Sequence, residues 1–436
     1  MAKSLSQLLH DHGYDIIHVG QFDNMGLFRE RRLRRDQFLQ WAAEPRFANV
    51  VGHWDAGEAL FGGGPYRTEE LEIDTASLRP FGFEARSAAI IADLAGQYAP
   101  IMPRNVLKAQ IARAAEMGFD VRAAFEFEVI FLNETASSLR ARGFAPPAQF
   151  AADNKCWSGT TAATEAAFVT AWEQALLAHG IDLFGVGGEL GPGCFEATLG
   201  ATNGLKAADD ASFFRLASRA FARQRNMTAT FMPSLGPDYP GLGGHVTLSL
   251  IDKATGRNLF ADPAGETNAL ARNFIGGMTQ IVPEAFALCA HTVNAYRRFA
   301  PGTWAPKSVN WSDWCFTTAV RSCPSAGDTA RLEFRLPGTD CNTHLTLALM
   351  LGAGLDGIAR GLQAPDPSPN SGPDDIVGAR LPGTLPEAAA RLAASDHARR
   401  LFGGAFIDNF TAFCAAETAS LAREVSDAER RRYLEG

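Results

Sequence analysis

The chain has 436 residues, 46% of them apolar and 20% charged, with a formal net charge of −8. That length suffices for a large core and two domains. The acidic balance argues against nucleic acid or an anionic membrane as the main partner, and no stretch nears the ~18 apolar residues of a membrane span. The seven cysteines (156, 194, 289, 315, 323, 341 and 414) form no CxxC pair and read as reduced thiols. The N-terminus lacks the apolar run of a signal peptide, so a cytoplasmic location is expected.

Residues 4–12 read as a short helix and 15–22 as an alternating strand. The basic run from Arg29 to Arg35 is either an anion-binding patch or, as is commoner, a solvated strand or turn. Residues 62–65 mark a turn, and 70–95 read as further short strands. Pro103 then opens a helix as its first residue, with Gly118 at the stop. We set the domain boundary just before it, giving 1–102 and 103–436. A strand over 121–132 is followed by a helix at 164–179, a strand, Gly-rich loop and strand over 181–200, and a long helix at 205–226. Further strands fall at 228–232 and 245–251, and apolar helices at 266–291 and 343–360. A Pro-rich loop, APDPSPNSGP, precedes a helical C-terminus. Short antiparallel strands mixed with separate helices predict an α+β fold and not a doubly wound sheet.

Three short motifs and one single position carry the chemistry. In FEFEVIFL, Glu126 and Glu128 are two apart, so a strand puts both on one face and Phe125, Phe127 and Val129 on the other. Two carboxylates amid that apolar surface are costly to ionise unless a cation sits between them; the alternative is the exposed face of an amphipathic strand. Glu189 and Glu196 flank a Gly-Pro-Gly turn that can bring both to one centre, or they belong to an ordinary loop. His245 stands in a Gly-rich approach to a strand, where a backbone can come close to a ligand; a single histidine is more often structural. Glu333 lies between Arg331 and Arg335, on a strand face that a surface salt-bridge ladder would also explain. Taken together, five carboxylates and an imidazole make a site for two or more Mg²⁺ or Mn²⁺ ions and imply phosphate chemistry.

In this order and spacing the motifs resemble the glutamine synthetase superfamily. The likeness runs from about residue 100 to the C-terminus and includes HTVNAYRRFAPGTWAPKSVNW, RLEFRLPGTDCNTHLTLALMLGAGLDGI, LPGTLPEAAARL and VSDAERRRYL. Residues 1–100 match more loosely, as that family's small β-grasp domain would. The resemblance implies an N-terminal β-grasp domain and a catalytic domain with a curved antiparallel sheet and flanking helices. It implies one ion on Glu128, Glu189 and Glu196 near glutamate, and another on Glu126, His245 and Glu333 near the ATP phosphates. Arg298 matches the grip on the α-carboxylate of glutamate, and Gly241 a backbone contact to the same substrate. Arg321 and Arg335 match arginines around the transferred phosphate and the side-chain carboxylate of glutamate, Arg335 counting among the substrate-binding residues. Arg331 and Ser249 match nucleotide contacts. The implied substrates are ATP, L-glutamate and an amine. The implied assembly is a homo-oligomer of stacked rings, a decamer or dodecamer.

Departures from the family pattern sharpen the expectation. Trp304 stands where ammonia-using members carry a flap glutamate, and the 46–53 segment lacks the aspartate that helps hold ammonium. Phe316 replaces a phosphate-contacting arginine, Thr247 a histidine, Asp328 a lysine and Cys194 a glutamine. Val377 occupies the place of a tyrosine that some members modify. Losing two anions and gaining an indole turns an ammonium site toward an apolar or cation–π one. The expected activity is ligation of an amine larger than ammonia to the γ-carboxylate of glutamate. The alternatives are an ammonia-using glutamine synthetase and a degenerate member that only binds.

Overall fold

The computed structural model describes residues 4–151, 155–236, 239–369, 372 and 374–434. Period-two alternation in the first hundred residues produces five strands: β1 (Ile16–Phe22), β2 (Phe28–Arg34), β3 (Arg46–Ala48), β4 (Thr68–Pro80) and β5 (Ser87–Leu94). They form one sheet in the order β2-β1-β5-β4-β3, in which β1 and β5 run parallel. The basic run is β2, an edge strand whose side chains are mostly exposed, so the solvated reading holds. The two segments expected as separate strands near 70–83 share β4, whose register shifts between Asp74 and Arg79.

This sheet buries both faces. One closes over Leu9, Ile17, Val19, Phe38 and Ile90, under the helices Leu5–Asp11 and Arg35–Trp41. The second of these helices was not anticipated, because Arg35, Asp36 and Gln37 continue a polar run with no apolar period to mark a helix start. Phe22, Ala89 and Ile91 turn the other way and join the larger core. There Phe22 meets Phe213 edge-on at 5.3 Å between ring centroids.

The larger sheet is built around β6 (Phe119–Leu132). It adds β7 (Leu183–Gly188), β8 (Cys194–Leu199), β9 (Thr202–Asn203), β10 (Thr228–Thr230) and β11 (Gly244–Asp252). After β12 (Ser308–Val309), which pairs outside this sheet, come β13 (Trp311–Asp313), β14 (Val320–Cys323) and β15 (Arg331–Phe334). The order is β13-β14-β15-β11-β6-β8-β7, with β9 and β10 also on β6. Every pair is antiparallel except β13 with β14. Phe125, Phe127, Val129 and Phe131 are all buried among the backing helices, which include Pro103–Glu116 and Gly204–Arg223. The helices Ala269–Ala285 and Thr343–Arg360 cross with their backbones touching. A Cβ added at Gly277 would fall 2.0 Å from Ala353 O, so only glycine fits that crossing. The helix expected at 164–179 is Ala166–Leu177, and a short separate helix, Gly159–Thr164, precedes it.

Polar contacts cross between the two sheets. Arg104, buried at the start of its helix, donates to Asp74 of β4, Asp93 of β5 and Asp209 of the helix Gly204–Arg223. Arg79 pairs with Asp210, and Asn342 donates to the carbonyls of Asp23 and Asn24.

Candidate active site

Register assembles the site. In an antiparallel ladder, opposed residues share a face. Glu128 of β6 lies opposite Glu196 of β8, and Glu126 lies opposite His245 of β11. Glu333 of β15 then lies opposite Thr247 on one side and Arg321 of β14 on the other. One sheet face therefore carries Glu196, Glu128, Glu126, His245, Glu333 and Arg321 in a continuous row.

Glu126, His245 and Glu333 bring one ligand atom each within 4.8 Å of one another, and among the described residues no other group of three does so. His245 Nδ1 lies 3.3 Å from Glu126 Oε1 and 3.7 Å from Glu333 Oε1. The other three carboxylates are looser. Glu128 Oε2 accepts from the Gly243 N–H at 2.7 Å, while Glu189 accepts from the indole N–H of Trp157 at 3.0 Å and from the Cys156 thiol at 3.2 Å. Trp157 and Cys156 were missed by reasoning from the sequence. The available signal was a large aromatic in the polar stretch KCWSGT, where it has no packing role; it is 75% exposed with φ +54°.

The acids are more than the metal-free protein can ionise. Burial, aided by the Glu189 charge, pushes Glu128 up to about 7. Burial and the charges of Glu126, Glu128 and Glu189 push Glu196 up as well. Glu126 is held low, against its burial, by the hydrogen bond from His245, so Glu126 and Glu196 divide one proton between them. Burial holds His245 below its ordinary value and so keeps it a neutral, ligand-competent imidazole. Carboxylates that must keep protons near neutral pH are relieved by a divalent cation, and oxygen donors with one imidazole suit Mg²⁺ or Mn²⁺.

Beside the acids lie the guanidiniums. Arg321 donates to Glu333 at 2.9 Å, and Arg335 pairs with its other oxygen. Phe316 supports both: its ring centroid lies 4.1 Å from the Arg321 guanidinium carbon and 5.3 Å from that of Arg335. Arg298 is buried, and burial pushes its pKa down to about 10 although Glu128 pulls the other way. It donates to Leu336 O at 2.9 Å and keeps Nε without a partner. Gly241 makes room for it, since a Cβ there would sit 2.8 Å from Arg298 Cγ. Arg331 donates to Thr329 O at 3.1 Å, and the Ser249 hydroxyl is spent on Ala330 O at 2.8 Å. Trp304 is 66% exposed, in a turn tied to Arg298 O by the Thr303 hydroxyl at 2.8 Å.

Buried acids and an imidazole converge here beside guanidiniums, a donor set that suits divalent cations and phosphate-bearing groups. The chain belongs to the glutamine synthetase family: the model of that family's catalytic domain matches residues 100–433. It is 29% identical to a glutamate–isopropylamine ligase from Pseudomonas over 98% of this chain and 96% of that one. It is 30% identical to a gamma-glutamylethanolamide synthetase of Streptomyces coelicolor over 88% of this chain and 81% of the relative. Its fold is that of ligand-free GmaS, with a TM-score of 0.86 at 23% identity over the whole of both chains.

Proposed function

We propose that the chain ligates an amine larger than ammonia to the γ-carboxylate of L-glutamate, with ATP consumed to ADP and phosphate. The observation that carries this reading is Trp304, an exposed indole that matches the flap position, in the turn tied to Arg298, in a chain that keeps all six candidate ligands. Of the relatives that match across most of the chain, one is named a glutamate–isopropylamine ligase and one a gamma-glutamylethanolamide synthetase, which supports the same choice. Two others are glutamine synthetases, so ammonia belongs among the amines to be tested.

In this reading Glu126, His245 and Glu333 hold one divalent cation, and Glu128, Glu189 and Glu196 hold a second. Bound ions supply charge neutralisation to the phosphates of ATP. Arg298, with its stem laid on Gly241, binds and orients the α-carboxylate of glutamate. Arg321 and Arg335 stand fixed by Glu333 where negative charge builds as the γ-phosphoryl group moves to the substrate carboxylate. The amine lone pair then attacks the carbon of the activated γ-carboxyl group, phosphate departs with the C–O bond electrons, and the proton lost from the nitrogen leaves with the phosphate. Trp304 offers an aromatic face to the carbon of the amine in place of a carboxylate for ammonium. Arg331 and Ser249 face the nucleotide end. Residues 1–102 form the β-grasp unit and 103–436 the catalytic unit of a cytoplasmic homo-oligomer of stacked rings.

The test is phosphate release from Mg-ATP and L-glutamate across ammonia, methylamine, isopropylamine, ethanolamine, diamines and aniline, with the γ-glutamyl amide identified by mass. Faster release with a carbon-bearing amine than with ammonia supports the reading. Equal turnover with ammonia returns it to an ordinary glutamine synthetase. Absence of release with every amine favours a binding protein, the reading that Phe316 in place of a phosphate-contacting arginine supports.

A further inference from the structure

A cavity of about 390 Å³ lies between the end of the helix Gly204–Arg223, strand β10 and the segment that begins at Thr292. It is lined by Arg219 and Arg223, which are one helical turn apart and so share a face. Elsewhere in the chain Arg29, Arg79, Arg104, Arg321 and Arg335 each meet a carboxylate. Among the described residues neither Arg219 nor Arg223 has an acidic partner within ion-pair distance. The Arg219 guanidinium instead lies 5.0 Å over the ring of Phe231. Burial, with Arg215 and Arg223 adding like charge and Asp340 pulling the other way, pushes Arg219 down to about 9, so it stays a cation at neutral pH with no direct ion pair.

The rest of the wall offers little to satisfy them. Asp340 is the one acid lining the cavity; its Oδ2 accepts from the Thr292 hydroxyl at 2.6 Å and its Oδ1 is occluded. Asn294 is committed at both side-chain ends to Ser234, and the Thr228 hydroxyl to Glu134 O. Thr230 accepts from the Met232 N–H and so keeps its own O–H to donate. Phe231, Met232 and Pro233 supply an apolar floor.

We propose that this cavity binds a small organic dianion, with its negative groups on Arg219 and Arg223 and its short carbon body on Phe231–Pro233. The volume falls in the range of small-molecule sites, about 300–1,000 Å³, and exceeds what a bare inorganic ion fills. Two guanidiniums and a free hydroxyl match carboxylate or phosphate oxygens. The cavity also borders two segments of the reaction site. Pro233 O receives the N–H of Leu242, between Gly241 and Gly243, and Thr292 caps the turn that carries Arg298. A bound dianion therefore adjusts glutamate affinity without touching glutamate; this consequence rests on the ligase reading, whereas the binding does not.

The test is calorimetric titration of the intact protein with succinate and, separately, with inorganic phosphate. We expect binding by the parent and at least tenfold weaker binding by Arg223→Ala and by Arg219→Gln, with probe-free turnover of Arg223→Ala unchanged. Succinate should bind the more tightly; inorganic phosphate bound equally well or better would show that no carbon body is recognised and overturns the proposal. Arg223 is exposed at a helix end, so its variant folds and decides the matter even if Arg219→Gln does not. No binding of either probe to the parent at about 10 mM, or binding that survives in Arg223→Ala, overturns the proposal. So does an Arg223→Ala variant that loses its assembled state, which would assign the arginines to a subunit contact.

Discussion

Arg104 and Asp209 meet through two parallel hydrogen bonds, Nε to Oδ1 and Nη2 to Oδ2, both 2.8 Å, with neither group open to solvent. The same guanidinium reaches Asp93 and Asp74, each at 2.6 Å. One residue of the catalytic unit's first helical turn thus neutralises acids from the small sheet and from the helix Gly204–Arg223. Removing one member of such a set strands the others as buried charges. Arg104→Met is expected to cost about 3–5 kcal/mol, measured by chemical denaturation, whereas Asp74→Asn, at the more exposed end, costs far less.

The pH dependence of that set follows from Asp209. Burial would raise its pKa, but the charge and hydrogen bonds of Arg104, with help from His344, hold it down to about 2. A depressed folded pKa contributes stability above the unfolded value near 3.9 and loses it as pH falls toward the folded one. The parent's denaturation midpoint should fall between pH 4 and 2, and Arg104→Met should show a smaller fall over that window. An identical acid limb in both proteins would remove Asp209 from the account.

The acids of the candidate site behave in the opposite sense. Glu128 and Glu196 have raised folded pKa values, so their contribution is complete below the unfolded value near 4.5 and lost as pH rises through the folded ones. In EDTA the melting temperature should fall from pH 5 to pH 8. Mn²⁺ should abolish that fall and release protons on binding, read by titration in buffers of different ionisation enthalpy. Unchanged melting with Mn²⁺ would count against a metal site at these residues.

Trp157→Phe removes the indole N–H that donates to Glu189 and keeps an aromatic ring in its place. Loss of such a supporting bond typically costs about 10–100-fold in metal affinity, and direct Mn²⁺ titration is the check. Weakening should be confined to one of two binding events, since Glu126, His245 and Glu333 do not touch this indole.

Trp304→Glu should raise the ratio of kcat/KM for ammonia over that for isopropylamine at least tenfold. An unchanged amine profile would show that the indole does not face the amine. Phe316→Ala should loosen Arg321 and Arg335 together, each cation–π contact contributing about 0.5–1 kcal/mol. Its signature is a several-fold drop in kcat/KM for both ATP and glutamate.

The sequence disclosed the parts of the site that obey a period. Glu126 and Glu128 alternate with buried phenylalanines, and Arg331, Glu333 and Arg335 alternate with Leu332 and Phe334, so their faces follow from the pleat. The resemblance supplied the grouping of these motifs, and the catalytic-domain match confirms the family. What stayed hidden depends on long-range approach. Cys156 and Trp157 reach Glu189 from a loop more than thirty positions away, and no local pattern encodes that. Arg104 reads as an ordinary helix-start residue until Asp74, Asp93 and Asp209 arrive from three other elements. The parallel pairing of β1 with β5 is likewise invisible to alternation, which carries no direction.

The register of β6 has an evolutionary side. Because Glu126 and Glu128 each face a partner on a different neighbouring strand, a one-residue insertion or deletion before them in β6 turns both toward the apolar helices at once. Such lesions cannot be repaired one substitution at a time. Drift in this lineage is therefore channelled away from length changes in the sheet and into exchanges on the exposed rim. There Trp157, Trp304 and Phe316 can be replaced singly, and new amine preferences can arise on a framework whose spacing cannot change.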